Sequence, residues 1–281
     1  MGTLFIVGTP IGNLEDMTPR GARVLGQVGL IVAEDTRVTR RLLSHLGIRA
    51  PTLSYHEHNW QARLPRVLKG LEAGDVALVC DAGMPVVSDP GSELVSRAAQ
   101  AGFPVEVVPG PSALTAALAV SGFAGDEFAF LGFLPRRRGD RRQRLRVFAS
   151  LPLTLVFFEA PHRLQAMLRD VKEELGDRQV ALCRELTKLH EEVFRGTVSE
   201  ASDHAHTPLG EYVVVVEGAP HNGQPEDTTE IQITEATKEL ARLRDSGTRA
   251  KDAVSSVASS LGLPKNLVYR LWVESGKRRT G

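Results

Sequence analysis

Asp81 and Asp89 bring two carboxylates to one Gly/Pro-rich turn, Asp81-Ala82-Gly83-Met84-Pro85, which follows an apolar run over residues 76–80. The same arrangement occurs twice more. Residues 4–7 run into Gly8-Thr9-Pro10-Ile11-Gly12-Asn13, and residues 105–108 run into Pro109-Gly110-Pro111-Ser112-Ala113. None of the three turns holds a Lys or Arg, none is a G-x-x-x-x-G-K-[ST] phosphate loop, and the first is not G-x-G-x-x-G. A phosphate beside Asp81 and Asp89 would meet like charge, whereas a ribose hydroxyl, an ammonium or a sulfonium would not. Ser112 opens a helical pattern over 113–121, whose free N–H groups suit a small carboxylate or polar edge. This chemistry suits a cationic, zwitterionic adenosine better than a nucleoside triphosphate. Taken singly, each turn also reads as an ordinary βα connection; three together argue for one pocket.

A second kind of chemistry lies at 136–146, where seven of eleven residues are arginine: Arg136, Arg137, Arg138, Arg141, Arg142, Arg144 and Arg146. Arginine pairs with phosphate through two N–H groups and stacks on bases. The alternative is a solvated helical face. Because the run is nearly one sign in a chain of formal net charge zero, we read it as an RNA contact. Ala33-Glu34-Asp35-Thr36-Arg37 and Arg184-Glu185-Leu186-Thr187-Lys188 each leave two readings open. The first is a carboxylate and Arg37 orienting a ribose and its phosphate, or Asp35 or Thr36 capping a helix. The second is a substrate clamp, or a structural ion-pair network.

These side chains need elements to position them. Strand-like runs at 4–7, 30–33, 52–54, 76–80 and 105–108 alternate with helical patterns at 19–28, 36–46, 61–71 and 92–101, as in βαβ units around a mostly parallel sheet. The carboxyl ends of such strands are where ligands bind. Beyond a hinge at 122–127, strands are expected at 128–131, 153–158, 179–184, 192–197 and 211–217, with helices at 163–175 and 199–205. Fewer helices per strand imply a mixed sheet. We therefore expect an N-terminal α/β domain over 1–121, a C-terminal α/β domain over 122–218, a polar linker over 219–229 and a helical tail over 230–281, with the pocket in the interdomain cleft.

In the tail, Val257 to Leu263 with Val268 and Leu271 has the layout of a helix-turn-helix, which puts Lys265, Asn266, Tyr269 and Arg270 on its second helix. A plain helical hairpin is the competing reading. A chain of 281 residues has material for two domains. Two cysteines, Cys80 and Cys183, are too few for a disulfide scaffold or a four-cysteine zinc site and fit a reducing cytoplasm. No stretch has the length and apolarity of a membrane span, and the start reads neither as a signal peptide nor as a myristoylation signal. His56-Glu57-His58 lacks the spacing of a helical zinc motif, so no metal is expected.

The turn Thr9 to Leu14, Ala33 to Arg37, Asp81-Ala82-Gly83, Asp89-Pro90-Gly91, Pro109 to Ala113, Gly132-Phe133-Leu134-Pro135, Glu159-Ala160-Pro161-His162-Arg163-Leu164 and Arg184 to Lys188 together resemble one family. It is the ribosomal small subunit methyltransferase I group, within the tetrapyrrole methylase superfamily, and the resemblance spans about residues 1–217 in order. It implies a homodimer of two α/β domains that uses S-adenosylmethionine to methylate the ribose 2′-hydroxyl of a cytidine in 16S rRNA of the small ribosomal subunit, cytidine 1402 in the usual rRNA numbering. It implies cofactor binding at Pro10, Asp81, Met84, Ser112, Ala113 and Phe158, to which the turn adds Gly83. Two positions depart from the family pattern: Cys80 stands where Ser is common, and Met84 where Thr is common. Repacking is expected there, not lost binding.

Methyl transfer to a ribose hydroxyl needs a base or a cation beside a poor nucleophile. The candidates are Asp35, Glu159, Glu185 and Lys188, and the histidines 56, 58 and 162 are further bases. RNA contacts are expected at Arg37, Arg136, Arg137, Arg138, Arg141, Arg142 and Arg184. Two other functions compete. A corrin-pathway C-methyltransferase would share the fold, but the arginine run and the tail argue against a porphyrinoid substrate. A ligand-sensing transcription factor would explain the tail but not the chemistry-bearing loops.

Overall fold

The computed structural model describes residues 1–220, 230–263 and 265–277. They form two units, Met1–Ala219 and Pro220–Gly281.

The first unit begins with a βα alternation: β1 (Leu4–Val7), α1 (Pro19–Gln27), β2 (Leu30–Ala33), α2 (Thr36–His45), β3 (Thr52–Ser54), α3 (Trp60–Ala73), β4 (Val76–Val79), α4 (Ser92–Gln100) and β5 (Val105–Val108). The strands pair in the order β3-β2-β4-β1-β5, every neighbouring pair parallel. Helices cover both faces, which is why the strands are almost wholly apolar and do not alternate. Leu4 and Leu78 pack with Leu94 on one side, and Val7 and Val79 with Leu25 on the other. All the strands point one way, so the turns after them gather at one edge. There the chain leaving β1 passes toward β2 and the chain leaving its neighbour β4 passes toward β5. This topological switch is where open α/β sheets hold ligands.

Helix α5 (Ala113–Ser121) does not return to this sheet. Its Ala117 is buried among Val156, Ala181, Cys183, Val213 and Val215 of a second one. That sheet is built from β6 (Phe128–Phe133), β7 (Thr154–Glu159), β8 (Gln179–Arg184), β9 (Glu192–Thr197) and β10 (Tyr212–Val216), with α6 (Arg138–Arg146), α7 (Pro161–Leu175) and α8 (Val198–His204) between them. The order is β6-β7-β10-β8-β9. Only β6 and β7 are parallel, so the sheet is mixed, as the low helix count implied. Leu164, Met167, Leu168 and Val171 of α7 fill the core on the face away from α5. Arg195 of β9 donates to the carbonyls of Val120 and Ser121, closing the C-terminus of α5 with a cation.

The second unit, taken by itself, holds α9 (Glu230–Asp245), α10 (Ala250–Leu261) and α11 (Lys265–Lys277) around Leu240, Val257 and Val268. Gly262, at φ +65°, turns the chain out of α10, and Leu263 N–H closes on the Ala258 carbonyl. Lys265, Tyr269 and Arg270 are exposed on α11, the second helix of the expected pair. The side chain of Asn266, and residues 221–229 of the expected linker, lie outside the described residues. No described helix is long and apolar enough to cross a membrane.

Candidate active site

The three turns named from the sequence meet at the switch point. Thr9 N–H donates to the Gly83 carbonyl at 2.9 Å and Gly83 N–H returns a bond to Thr9 at 3.1 Å, which zips the turn after β1 to the turn after β4. The Thr9 hydroxyl adds a bond to the Cys80 carbonyl at 3.2 Å. Gly8 and Gly110 pass so closely that a Cβ on Gly8 would lie 2.7 Å from the Gly110 Cα. The β4 turn is strained: Val86 and Ser88 sit at φ 77° and 63°, a region that non-glycine residues rarely occupy. Gly132, at φ +58° where β6 shifts register, lets the second sheet approach this turn; a Cβ there would fall 2.8 Å from the Ser88 hydroxyl.

Between the turns and the second sheet lies a cavity of about 510 Å³, a size that suits a small-molecule cofactor. Each turn reaches it, through Ile11, through Ala82 to Met84 with Ser88 and Asp89, and through Ser112 and Ala113. Of the expected cofactor contacts, Gly83, Met84, Ser112, Ala113 and Phe158 line it. Pro10 is buried and Ile11 takes its place on the wall, while Asp81 faces a neighbouring cavity. Phe133, from the Gly132–Pro135 motif but not among the expected site residues, also reaches the wall, and sequence reading missed Tyr212 and Val213, which reach it from β10 with no local signature. Phe158 meets Phe130 and Phe133 edge to face, at ring distances of 4.9 and 5.8 Å.

Glu159, at the end of β7, is 2 % exposed and lines the same cavity. Its Oε1 accepts from the Ala160 N–H at 2.9 Å and stands 3.3 Å from the Arg163 Nε. Its Oε2 is buried without a hydrogen-bond partner. Burial pushes the Glu159 carboxyl up, only partly offset by the Ala160 N–H and Arg163. Glu185 and Lys188 also line the cavity, but they are engaged with each other at 3.0 Å. Lys188 reaches Glu211 at 2.8 Å, and the Glu211 N–H donates to Glu185. Burial works to lower the Lys188 ammonium, but Glu211 and Glu185 outweigh it and the net direction is upward. Arg184 donates to the Leu209 carbonyl and pairs with Glu192. The 184–188 segment is therefore an ion-pair network, two of whose members also face the cavity.

A second cavity of about 810 Å³ shares Ser88 and Asp89 with the first. Asp35 and Asp81 line it. Asp35 is the N-cap of α2: its Oδ1 accepts from the Arg37 N–H at 2.7 Å, and the Arg37 guanidinium closes on Oδ2 at 2.6 Å. Those bonds hold the Asp35 carboxyl down at about 2. Burial, then mutual repulsion, drives Glu34 the other way, and burial likewise raises Asp81 and Asp89. No group of three or more His, Cys, Asp or Glu able to hold a metal occurs among the described residues.

The arginine run forms most of α6, and α7 accounts for much of it. Arg138 pairs with Asp170 and Glu173, Arg142 with Glu173 and Glu174, and Arg146 with Glu174. Arg141 is 5 % exposed, pairs with the buried Asp170 and donates to the carbonyls of Pro135 and Arg136. These bonds hold the Arg141 guanidinium within the chain, at the wall of the groove that Arg136 also lines, and they compete with the RNA contact expected of it. Arg136 and Arg137 are in no ion pair with described residues, and Arg136 lines a groove with Phe133, His162 and Arg163 that opens beside the cofactor-sized cavity.

Residues 3–202 match the model of the tetrapyrrole (corrin/porphyrin) methylases. The chain is 53 % identical to ribosomal RNA small subunit methyltransferase I of Thermotoga maritima over 221 residues, covering 78 % of this chain and 99 % of that one. It is 43 % identical to the protein of the same name from Halalkalibacterium halodurans, covering 96 % and 94 %. Among solved structures it superposes on the methyltransferase CobJ at a TM-score of 0.61 and 20 % identity, covering 78 % and 95 %, which establishes the fold. The match over nearly the whole chain, on this fold, makes the chain a member of the ribosomal RNA small subunit methyltransferase I family of tetrapyrrole methylases.

Proposed function

We infer that the protein transfers a methyl group from S-adenosylmethionine to the 2′-hydroxyl of cytidine 1402 of 16S rRNA in the small ribosomal subunit. It would work in the cytoplasm as a homodimer, as the family resemblance implies. The observation that carries this reading is the cavity at the switch point, walled by three base-free turns and by a carboxyl with an unpartnered oxygen. Its chemistry fits the cofactor. Ser112 caps α5 without spending its side chain, so the hydroxyl and the first N–H groups of α5 can take a carboxylate. Aromatic rings suit an adenine, and nothing cationic on the three turns repels a sulfonium. When bound, S-adenosylmethionine supplies an electrophilic methyl.

The chain's part is to hold the ribose and take its proton. Glu159 fits the base best: Asp35 is spent on capping and on Arg37, and Glu185 and Lys188 on each other, whereas Glu159 lines the cavity and has one buried oxygen without a partner in the fold. The phosphate backbone fits the groove of Arg136, His162 and Arg163. A corrin substrate is less supported, because the corrin and porphyrin enzymes match at 18–22 % identity, against 40–53 % for the rRNA enzymes. The test is transfer of labelled methyl from S-adenosylmethionine to small subunits lacking the modification. Incorporation into 16S rRNA supports the reading, and its absence in the presence of measured cofactor binding contradicts it.

A further inference from the structure

The second cavity lies beside the cofactor-sized one and is lined by a different set of side chains. It adjoins the first through Ser88 and Asp89. Glu34, Asp81 and Asp89 line it, and no Lys or Arg does. Tyr55, at its wall, is 2 % exposed, and its hydroxyl is buried with no hydrogen-bond partner. A buried hydroxyl is normally satisfied, so one left open beside a cavity marks a place where a ligand completes the bond. Trp60 and His56 add flat rings.

These features select among ligands. A phosphate is excluded by like charge. A metal ion lacks a ligand set among the described residues. What remains is a flat molecule with an N–H donor for a carboxylate and an acceptor for a phenolic hydroxyl. The pairing edge of cytosine carries both, with the N4 amino group as donor and N3 and O2 as acceptors, and a carboxylate is the usual partner of that amino group. Uracil presents its O4 acceptor at the same place, where a carboxylate repels it.

We propose that the second cavity receives the cytosine base of the target nucleotide, drawn out of its stack, with Glu34 and its neighbouring carboxyls accepting from the amino group and Tyr55 donating to a ring acceptor. Enzymes that modify a nucleotide buried in structured nucleic acid extrude it in this way. The shared Ser88–Asp89 wall then sets the ribose of that nucleotide against the cofactor cavity.

The inference rests on the rRNA methylation reading, and one experiment separates the two. Single-turnover methylation is measured on undermethylated small subunits carrying either cytidine or uridine at the target. The enzymes are wild type, Tyr55→Phe and Glu34→Gln, with S-adenosylmethionine affinity measured alongside by calorimetry. Wild type should favour cytidine by about 5–150-fold, the range of one well-formed base contact. Each variant should lose about tenfold or more on cytidine, narrow the cytidine-to-uridine ratio, and keep its cofactor affinity. Tyr55→Phe removes an oxygen that has no partner within the fold, so the fold does not depend on it. Methylation by wild type with a ratio unchanged in both variants would overturn the base pocket alone. No transfer by wild type to either target would overturn the function reading and the pocket with it.

Discussion

The backbone N–H of Asp35 donates to Oδ1 of Asp81 at 3.0 Å, so the ends of β2 and β4 are tied together at the mouth of the second cavity. Asp35 spends its own carboxylate on capping α2 and on Arg37. Asp81 is thus an anchor for the segment that positions Glu34. Replacing it with Asn keeps an acceptor, and replacing it with Ala does not. Asp81→Ala should lose about 1 kcal/mol of stability, the net worth of one such hydrogen bond. Asp81→Asn should stay within half of that loss, and urea denaturation of the two variants checks it.

Glu159→Gln should lower methyl transfer by about 10²–10⁴-fold, the usual contribution of a general base, with cofactor affinity nearly unchanged. The base works only when ionised, and burial raises its carboxyl above the ordinary value of 4.5. Wild-type turnover should therefore fall as pH drops through that raised value, and the fall should be absent in the variant. For stability the sign is opposite. A carboxyl raised in the folded state favours folding below its unfolded value and loses that favour as pH rises. Glu159→Gln should accordingly be no less stable than wild type at neutral pH. A pH–rate profile and a melting curve on the same variant test both.

The arginine run divides into two roles. Arg141→Met leaves the carboxylate of Asp170 buried with its inner partner gone, and should cost about 3–5 kcal/mol. The Arg136→Gln, Arg137→Gln double variant should leave stability alone and flatten the salt dependence of RNA binding. The log–log slope should change by about 1.4 if both touch phosphate, at about 0.7 per contact on single strands. An unchanged slope would remove both residues from the interface.

Glu174, held by Arg142 and Arg146, has its carboxyl lowered from 4.5 to about 2 by those two hydrogen bonds. A carboxyl lowered in the folded state stabilises above its unfolded value and ceases to as pH falls through the folded one. Between about pH 4.5 and 2 the wild type should lose more stability than Glu174→Gln does. Denaturant midpoints measured across that window give the comparison.

Periodicity carried most of the fold. The strands at Leu4–Val7, Val76–Val79 and Gln179–Arg184 stand where the residue pattern puts them, because strands buried in a sheet must be apolar on a short, regular plan. The three turns were legible for a related reason: Gly and Pro there are demanded by backbone approach, as at Gly8 and Gly110. What stayed illegible depends on contacts distant in sequence. Nothing near Arg141 announces that Asp170, on another helix, encloses it, and nothing near Ala113 says that α5 leaves the first sheet for the second. Tyr55 and Asp81 likewise reveal their cavity only when β3 and β4 lie in one sheet with β2 between them.

The position of the new methyl group distinguishes ribose methylation from every competing activity. Small subunits lacking the modification are incubated with the protein and S-adenosylmethionine, and their 16S rRNA is then partially hydrolysed in alkali, which cannot cleave next to a methylated 2′-oxygen. One new gap should appear in the ladder, at cytidine 1402, dependent on the cofactor and strongly reduced with Glu159→Gln. An uninterrupted ladder from a protein that binds the cofactor, or methyl incorporated only on a base, would contradict ribose methylation.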